Sequence, residues 1–204
     1  MLCQVFLMDL LDEVPQPKKT TIESRLRLYF TQVATTGGNK DTVSVGWPTG
    51  TPNVAPTDLL VYYLPNPYTL KKKIGSSQPV NRLAGHNGLT LLGPPGTLTE
   101  VYMDRSDNAD LFANITFHEL MHNKLQLGNT GLHSKDGLAQ GSPPPSRVIT
   151  QNTPLTEGNK RDMAGALSRS NPQWLDGIAF LLGRKAARDG GDPTWNQELL
   201  PPPP

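Results

Sequence analysis

The chain has one cysteine, Cys3, in 204 residues, which rules out an intramolecular disulfide. Small secreted domains usually carry several, so a reducing compartment is favoured. Bulk charge is nearly absent too: 19 Lys and Arg against 18 Asp and Glu give a formal net charge of +1. No overall field draws the chain to nucleic acid or to an anionic membrane. No run approaches the roughly eighteen apolar residues of a membrane span. The opening "MLCQVFLMDLLDEVP" lacks a basic n-region and is broken by Asp9 and Asp12, so it is a poor secretory signal. It reads as an amphipathic helix or a cut domain edge. These absences point to a soluble chain, cytoplasmic or exported by a signal-independent route. No internal repeat is present.

Turn formers are plentiful, with 20 prolines and 19 glycines, and imply many turns and long loops. Hydrophobic residues make up 36% and mean hydropathy is −0.42, so a core must come from patterned segments. Residues 15–20, "PQPKKT", read as a linker. A helix follows, with Thr20 and Glu23 at capping-box spacing and Ile22, Leu26, Tyr29, Phe30 and Val33 in helical period. "DLLVYYLP" (58–65), "NGLTLLG" (87–93) and "TLTEVYMD" (97–104) read as strands, the first of them buried. The Lys71-Lys72-Lys73 triplet reads as a solvated loop.

A helix of about six turns is expected over 105–127, capped by Ser106 or Asp107, with Asp110 suiting its positive start and Gly128 stopping it. Residues 128–153 form a long irregular loop, of the kind that is often functional. Thr156 begins another helix, ending near Ser170. Asn171-Pro172 restarts one, with Trp174, Ile178, Leu181 and Leu182 as its stripe. The chain divides into an N-terminal segment and linker (1–19), one domain (20–190) and a Pro-rich tail (191–204).

Three of the four histidines fall in "FHELMHNKLQLGNTGLHSKD", residues 117–136. His118 and His122 are four apart on the long helix, so they project from one face and can meet one metal ion. Glu119 is one step round the helix, badly placed to ligate but well placed beside a metal-activated water. Chance yields such a pentapeptide in a chain of this composition at about 0.2%, so it is read as a zinc site.

On "HELMH", and on the order of strands, motif helix, loop and C-terminal helices, the chain resembles the zincin metallopeptidases over about residues 20–188. The resemblance implies an α+β fold: a small mixed twisted sheet packed on the active-site helix, followed by C-terminal helices. It implies Zn²⁺ as cofactor, His118 and His122 as ligands and Glu119 as general base. Metzincins extend the motif to HExxHxxGxxH; here Gly128 and His133 keep that order at longer spacing, which makes His133 the third ligand. Asp136 is the rival, as in aspzincins, and Glu157 answers to the gluzincin pattern; His86 is a further histidine that could be recruited. No Met-turn is evident, since Met163 lies in a helical pattern. No tyrosine follows the motif; Tyr102, Lys135 or Arg147 would have to replace one at the oxyanion.

The implied activity is a zinc metallopeptidase that hydrolyses peptide bonds by Glu119-assisted attack of water. A protein or peptide substrate would pair with "TLTEVYMD" if that strand is the sheet edge beside the cleft. A zinc-dependent amidase or deacylase acting on cell-wall peptides or another small amide would use the same site. A non-catalytic module stapled by zinc would need no base at position 119.

Overall fold

The computed structural model describes residues 3–38, 42–64, 87–93, 96–103, 106–141 and 148–175. His86, Arg147, the Lys71–Lys73 triplet and the expected 176–190 helix, with Ile178, Leu181 and Leu182, lie outside the described residues.

Among the described residues five strands form one mixed sheet: β1 (Cys3–Met8), β2 (Val43–Gly46), β3 (Leu59–Leu64), β4 (Gly88–Leu91) and β5 (Leu98–Tyr102), in the order β2-β1-β3-β5-β4. The first four in that order run parallel, with Val5 opposite Leu59 and Tyr62 opposite Glu100. β4 alone is antiparallel, with Gly88 opposite Val101. β3 is buried along its whole length, as expected of an unbroken apolar run at the centre of parallel strands.

The opening segment is a strand inside the sheet, not an amphipathic helix. Alternate residues Cys3, Val5 and Leu7 enter the core, the period-two pattern of a strand, and β1 lies between β2 and β3. Asp9, read as an interruption, closes the strand. Its carboxylate accepts the backbone N–H of Glu13 and of Val14 and pairs with Lys19 at 2.8 Å. The chain then turns directly into α1 (Gln16–Thr36), so the "PQPKKT" linker is helix. Pro15 is its N-cap, and the Thr20–Glu23 capping box does not form. Since Leu7 is fully buried in the main core, Leu7→Ala should cost about 2–5 kcal/mol, read as a fall in the urea midpoint. An unchanged midpoint would place β1 outside the core.

α1 and α2 (Ala109–Leu125) pack on each other and on one face of the sheet. Helices on one face of a mixed sheet are an α+β arrangement. Ile22, Leu26, Phe30 and Val33 of α1 meet Phe112, Phe117 and Leu120 of α2 and Val5, Val61 and Val101 of the sheet in one core. The opposite face carries a second cluster: Met8, Leu60, Tyr62, Leu64, Leu98, Tyr102 and Trp174. Among the described residues no helix is long and apolar enough to cross a membrane.

α2 is shorter than its pattern. Asn108 caps it, accepting from the Leu111 N–H at 3.1 Å, while Ser106 accepts from Asn108 N–H. It ends at Gln126, in the left-handed region at φ 56°, two residues before Gly128. Gly128 instead caps the short helix α3 (Asn129–Leu132). A 3₁₀ turn (Gly137–Ala139) follows. Then α4 (Glu157–Ala164) starts from the expected Thr156, whose partner in a capping box is Asn159. Its end comes six residues before Ser170.

Asn171–Trp174 does not restart a helix. It lies along Thr97, with Thr97 N–H donating to Pro172 O and Trp174 N–H to Thr97 O, both at 2.9 Å. Asn123, buried on α2, fixes it there. Asn123 donates to Thr99 at 2.8 Å and Gln173 at 2.9 Å and accepts from Asn171. Buried amides that find one another in this way outweigh local helical preference.

Candidate metal centre

Burial is the first constraint on the histidines. His118, Glu119 and His122 are 6%, 6% and 5% exposed, on the face of α2 turned away from solvent. A buried polar group must find a partner. For two histidines that partner is a backbone carbonyl: His118 Nδ1 is 2.8 Å from Leu138 O, and His122 Nδ1 is 2.6 Å from Leu127 O. A carbonyl oxygen can only accept, so each Nδ1 carries the proton and each neutral ring keeps a bare lone pair on Nε2. The early turn at Gln126 brings Leu127 O into reach of His122.

Those Nε2 atoms converge with that of His133. The three separations are 3.2 Å (His118–His122), 3.1 Å (His122–His133) and 3.2 Å (His118–His133). Two nitrogens bound to one tetrahedral ion at about 2.0–2.1 Å stand about 3.3–3.4 Å apart, so the triangle is close to the size a metal needs. Its chemistry fits as well. The Nε2 atoms of His118 and His122 cannot donate to each other, so their facing lone pairs repel unless a cation lies between them. Burial, and then the nearby His122, hold the His118 pKa down to about 3, against the opposing pull of the Leu138 carbonyl. Burial lowers that of His122 as well. Rings kept neutral are the form that binds metal, and the Nδ1–H to carbonyl bonds are the outer contacts that aim ligating imidazoles. Among the described residues this trio is the one group of three His, Cys, Asp or Glu side chains that can hold a metal ion.

The rivals for the third position are engaged elsewhere. Asp136 accepts from Thr156 Oγ1 at 3.1 Å, facing the start of α4. Glu157 is paired with Lys160. Neither carboxylate belongs to the trio.

Glu119 sits under the edge strand. Thr90 Oγ1 is 2.7 Å from its Oε2 and 3.0 Å from its backbone carbonyl. β4 passes so close that a Cβ at Gly88 would lie 2.7 Å from Glu119 Cγ, so any larger residue there would have to displace the Glu119 side chain. Burial raises the Glu119 pKa to about 8, with Thr90 pulling it down and Glu100 adding a smaller push upward. Nothing in the strand-like run "NGLTLLG" marks Thr90 or Gly88 as site residues. Their roles come from the antiparallel register.

Two of the oxyanion candidates are engaged with other partners. Tyr102 is in the far-face cluster and donates to Glu100 at 2.6 Å, and Lys135 pairs with Asp162 at 2.8 Å. Met163 is fully buried on α4, in the main core. The strand expected to receive substrate, β5, is interior, between β3 and β4; among the described residues β4 is the terminal strand. No family model, curated protein or solved structure matches the chain.

Proposed function

We propose that the chain is a zinc-dependent metallopeptidase. The observation that carries this reading is the convergence of three imidazole Nε2 atoms at 3.1–3.2 Å, with a buried carboxylate on the residue after the first. His118, His122 and His133 would hold the ion, and an all-histidine set with a free fourth position suits zinc in a hydrolytic site. When bound, zinc supplies Lewis acidity that brings water toward ionisation near neutral pH and stabilises negative charge on the attacked carbonyl oxygen.

The chain's own groups do the rest. Opposite charge from a cation held by the three histidines would offset the upward push of burial on Glu119, and the ionised carboxylate would take the proton from the attacking water and return it to the leaving amine. Thr90, through its hydroxyl on Oε2, sets the carboxylate's orientation. β4, terminal in the sheet among the described residues, would receive an extended backbone by strand addition, directly above Glu119. This favours a peptide over a compact amide, which would gain nothing from a strand edge.

The test is a complex peptide mixture incubated with the zinc-loaded protein and read by mass spectrometry. Discrete new termini should appear, vanish with a chelator and return when zinc is restored. Release of acyl groups or small amides without internal peptide cleavage would favour the amidase reading. Zinc uptake with no hydrolysis of either class would leave a zinc-stapled binding module.

A further inference from the structure

Residues 137–141 touch two of the three imidazoles from opposite ends. At one end the Leu138 carbonyl accepts from His118 Nδ1 at 2.8 Å. At the other, Gly141 lies flat against the ring of His133. A Cβ built on Gly141 would fall 2.2 Å from His133 Cγ and Nδ1 and 2.5 Å from Cδ2. The His133 backbone is pinned, its N–H donating to Asn129 O at 2.8 Å at the end of α3. Relief of such a clash comes from shifting the Gly141 backbone or rotating the ring, and either move disturbs the seat of the ring or carries Nε2 out of the triangle.

The segment is itself fastened to α4. Asn159, 1% exposed, accepts from the Leu138 N–H at 2.9 Å and donates to the Asp136 carbonyl at 3.0 Å. Its Oδ1 also accepts from the Thr156 N–H at 3.3 Å. One side chain thus spans the turn and sets the height of the carbonyl that aims His118.

We infer that residues 137–141, bolted to α4 by Asn159, form a shared clasp that positions His118 and His133 together. Gly141 and Asn159 are then positioning residues of the metal centre. The clasp rests on the metal-centre reading, and it predicts that metal affinity is set partly from α4, which supplies no ligand. It also assigns Gly141 a steric task that Gly128 lacks, since a Cβ on Gly128 would meet nothing within 4 Å.

The experiment uses the full chain. Zinc affinity is measured by chelator competition, the visible absorption of the cobalt(II)-loaded protein is recorded, and far-UV circular dichroism follows folding without metal. Gly141→Ala and Asn159→Asp should each bind zinc about 10–100-fold more weakly, the range for lost outer contacts to ligating histidines. Both should change the cobalt spectrum while folding normally. Asn159→Asp keeps the acceptor for Leu138 but turns the donor to Asp136 O into a repelling oxygen. Gly128→Ala should match wild type in both readouts. If Gly141→Ala fails to fold, Asn159→Asp decides. Wild-type affinity and spectrum in the folded variants would overturn the clasp, and failure of both to fold would make the segment an element of the fold instead. Wild-type protein that takes up neither metal would instead sink the metal centre itself.

Discussion

Glu119→Gln should bind zinc as wild type does, fold normally and hydrolyse a susceptible peptide about 10²–10⁴-fold more slowly, the usual contribution of a general acid–base group. The amide keeps the length of the side chain and an oxygen for the Thr90 hydroxyl, which is 2.7 Å from the carboxylate in the native chain. What it loses is the capacity to take a proton. Gln is also uncharged, so it settles into the buried site under β4 without the desolvation cost an ionised carboxylate meets. Stability should therefore hold or rise, which separates a chemical loss from unfolding. Metal content, melting temperature and turnover are needed on one preparation. A variant that cleaves as fast as wild type would remove Glu119 from the mechanism, however the metal is held.

The second large effect concerns the ligands. The His118→Ala/His122→Ala double variant should carry no zinc, where wild type carries about one ion per chain, as one three-ligand site allows. Among single variants, His133→Ala should lose affinity steeply and Asp136→Ala should not, because the aspartate is turned to Thr156 Oγ1. A metal held only by the folded chain stabilises it by about 4.1 kcal/mol at a thousand times Kd. The zinc-dependent rise in melting temperature should thus disappear with the double variant. Retention of zinc by that variant, or its loss from Asp136→Ala with His133→Ala unaffected, would contradict the ligand set.

How far these residues could be read without coordinates varied with the kind of signal. His118 and His122 were legible because four-residue spacing on a helix fixes a shared face, and Glu119 only through the HExxH pattern around it. His133 was favoured by its order after Gly128, but ligand chemistry could not separate it from Asp136. The separation is tertiary, since α4 draws the aspartate to Thr156. β3, β4 and β5 were legible as runs. The place of β5 in the sheet was not, because nothing in "TLTEVYMD" says that "NGLTLLG" comes back antiparallel outside it. The opening strand was misread because six residues are too few for period to tell strand from helix, and the acids after it suggested amphipathicity. The backbone carbonyls of Leu127 and Leu138 have no sequence signature at all. Asn159 was hidden inside a helix start, where a capping role is explanation enough.

The parallel run through β1 and β3 bears on how the chain reaches this state. β1 has no partner close to it in sequence, since both of its neighbours are distant: Cys3 pairs with Val43 and Val5 with Leu59. Until β2 and β3 dock, an apolar strand has its hydrogen-bonding edges open and no local hairpin to close them. Such non-local closure is slow, and a waiting strand is a template for intermolecular pairing. Refolding yield should therefore fall steeply with protein concentration. Rescue is expected from agents that shield β1; a metal ion held by His118, His122 and His133 would not act on that pairing, since all three residues lie beyond β3 in the chain.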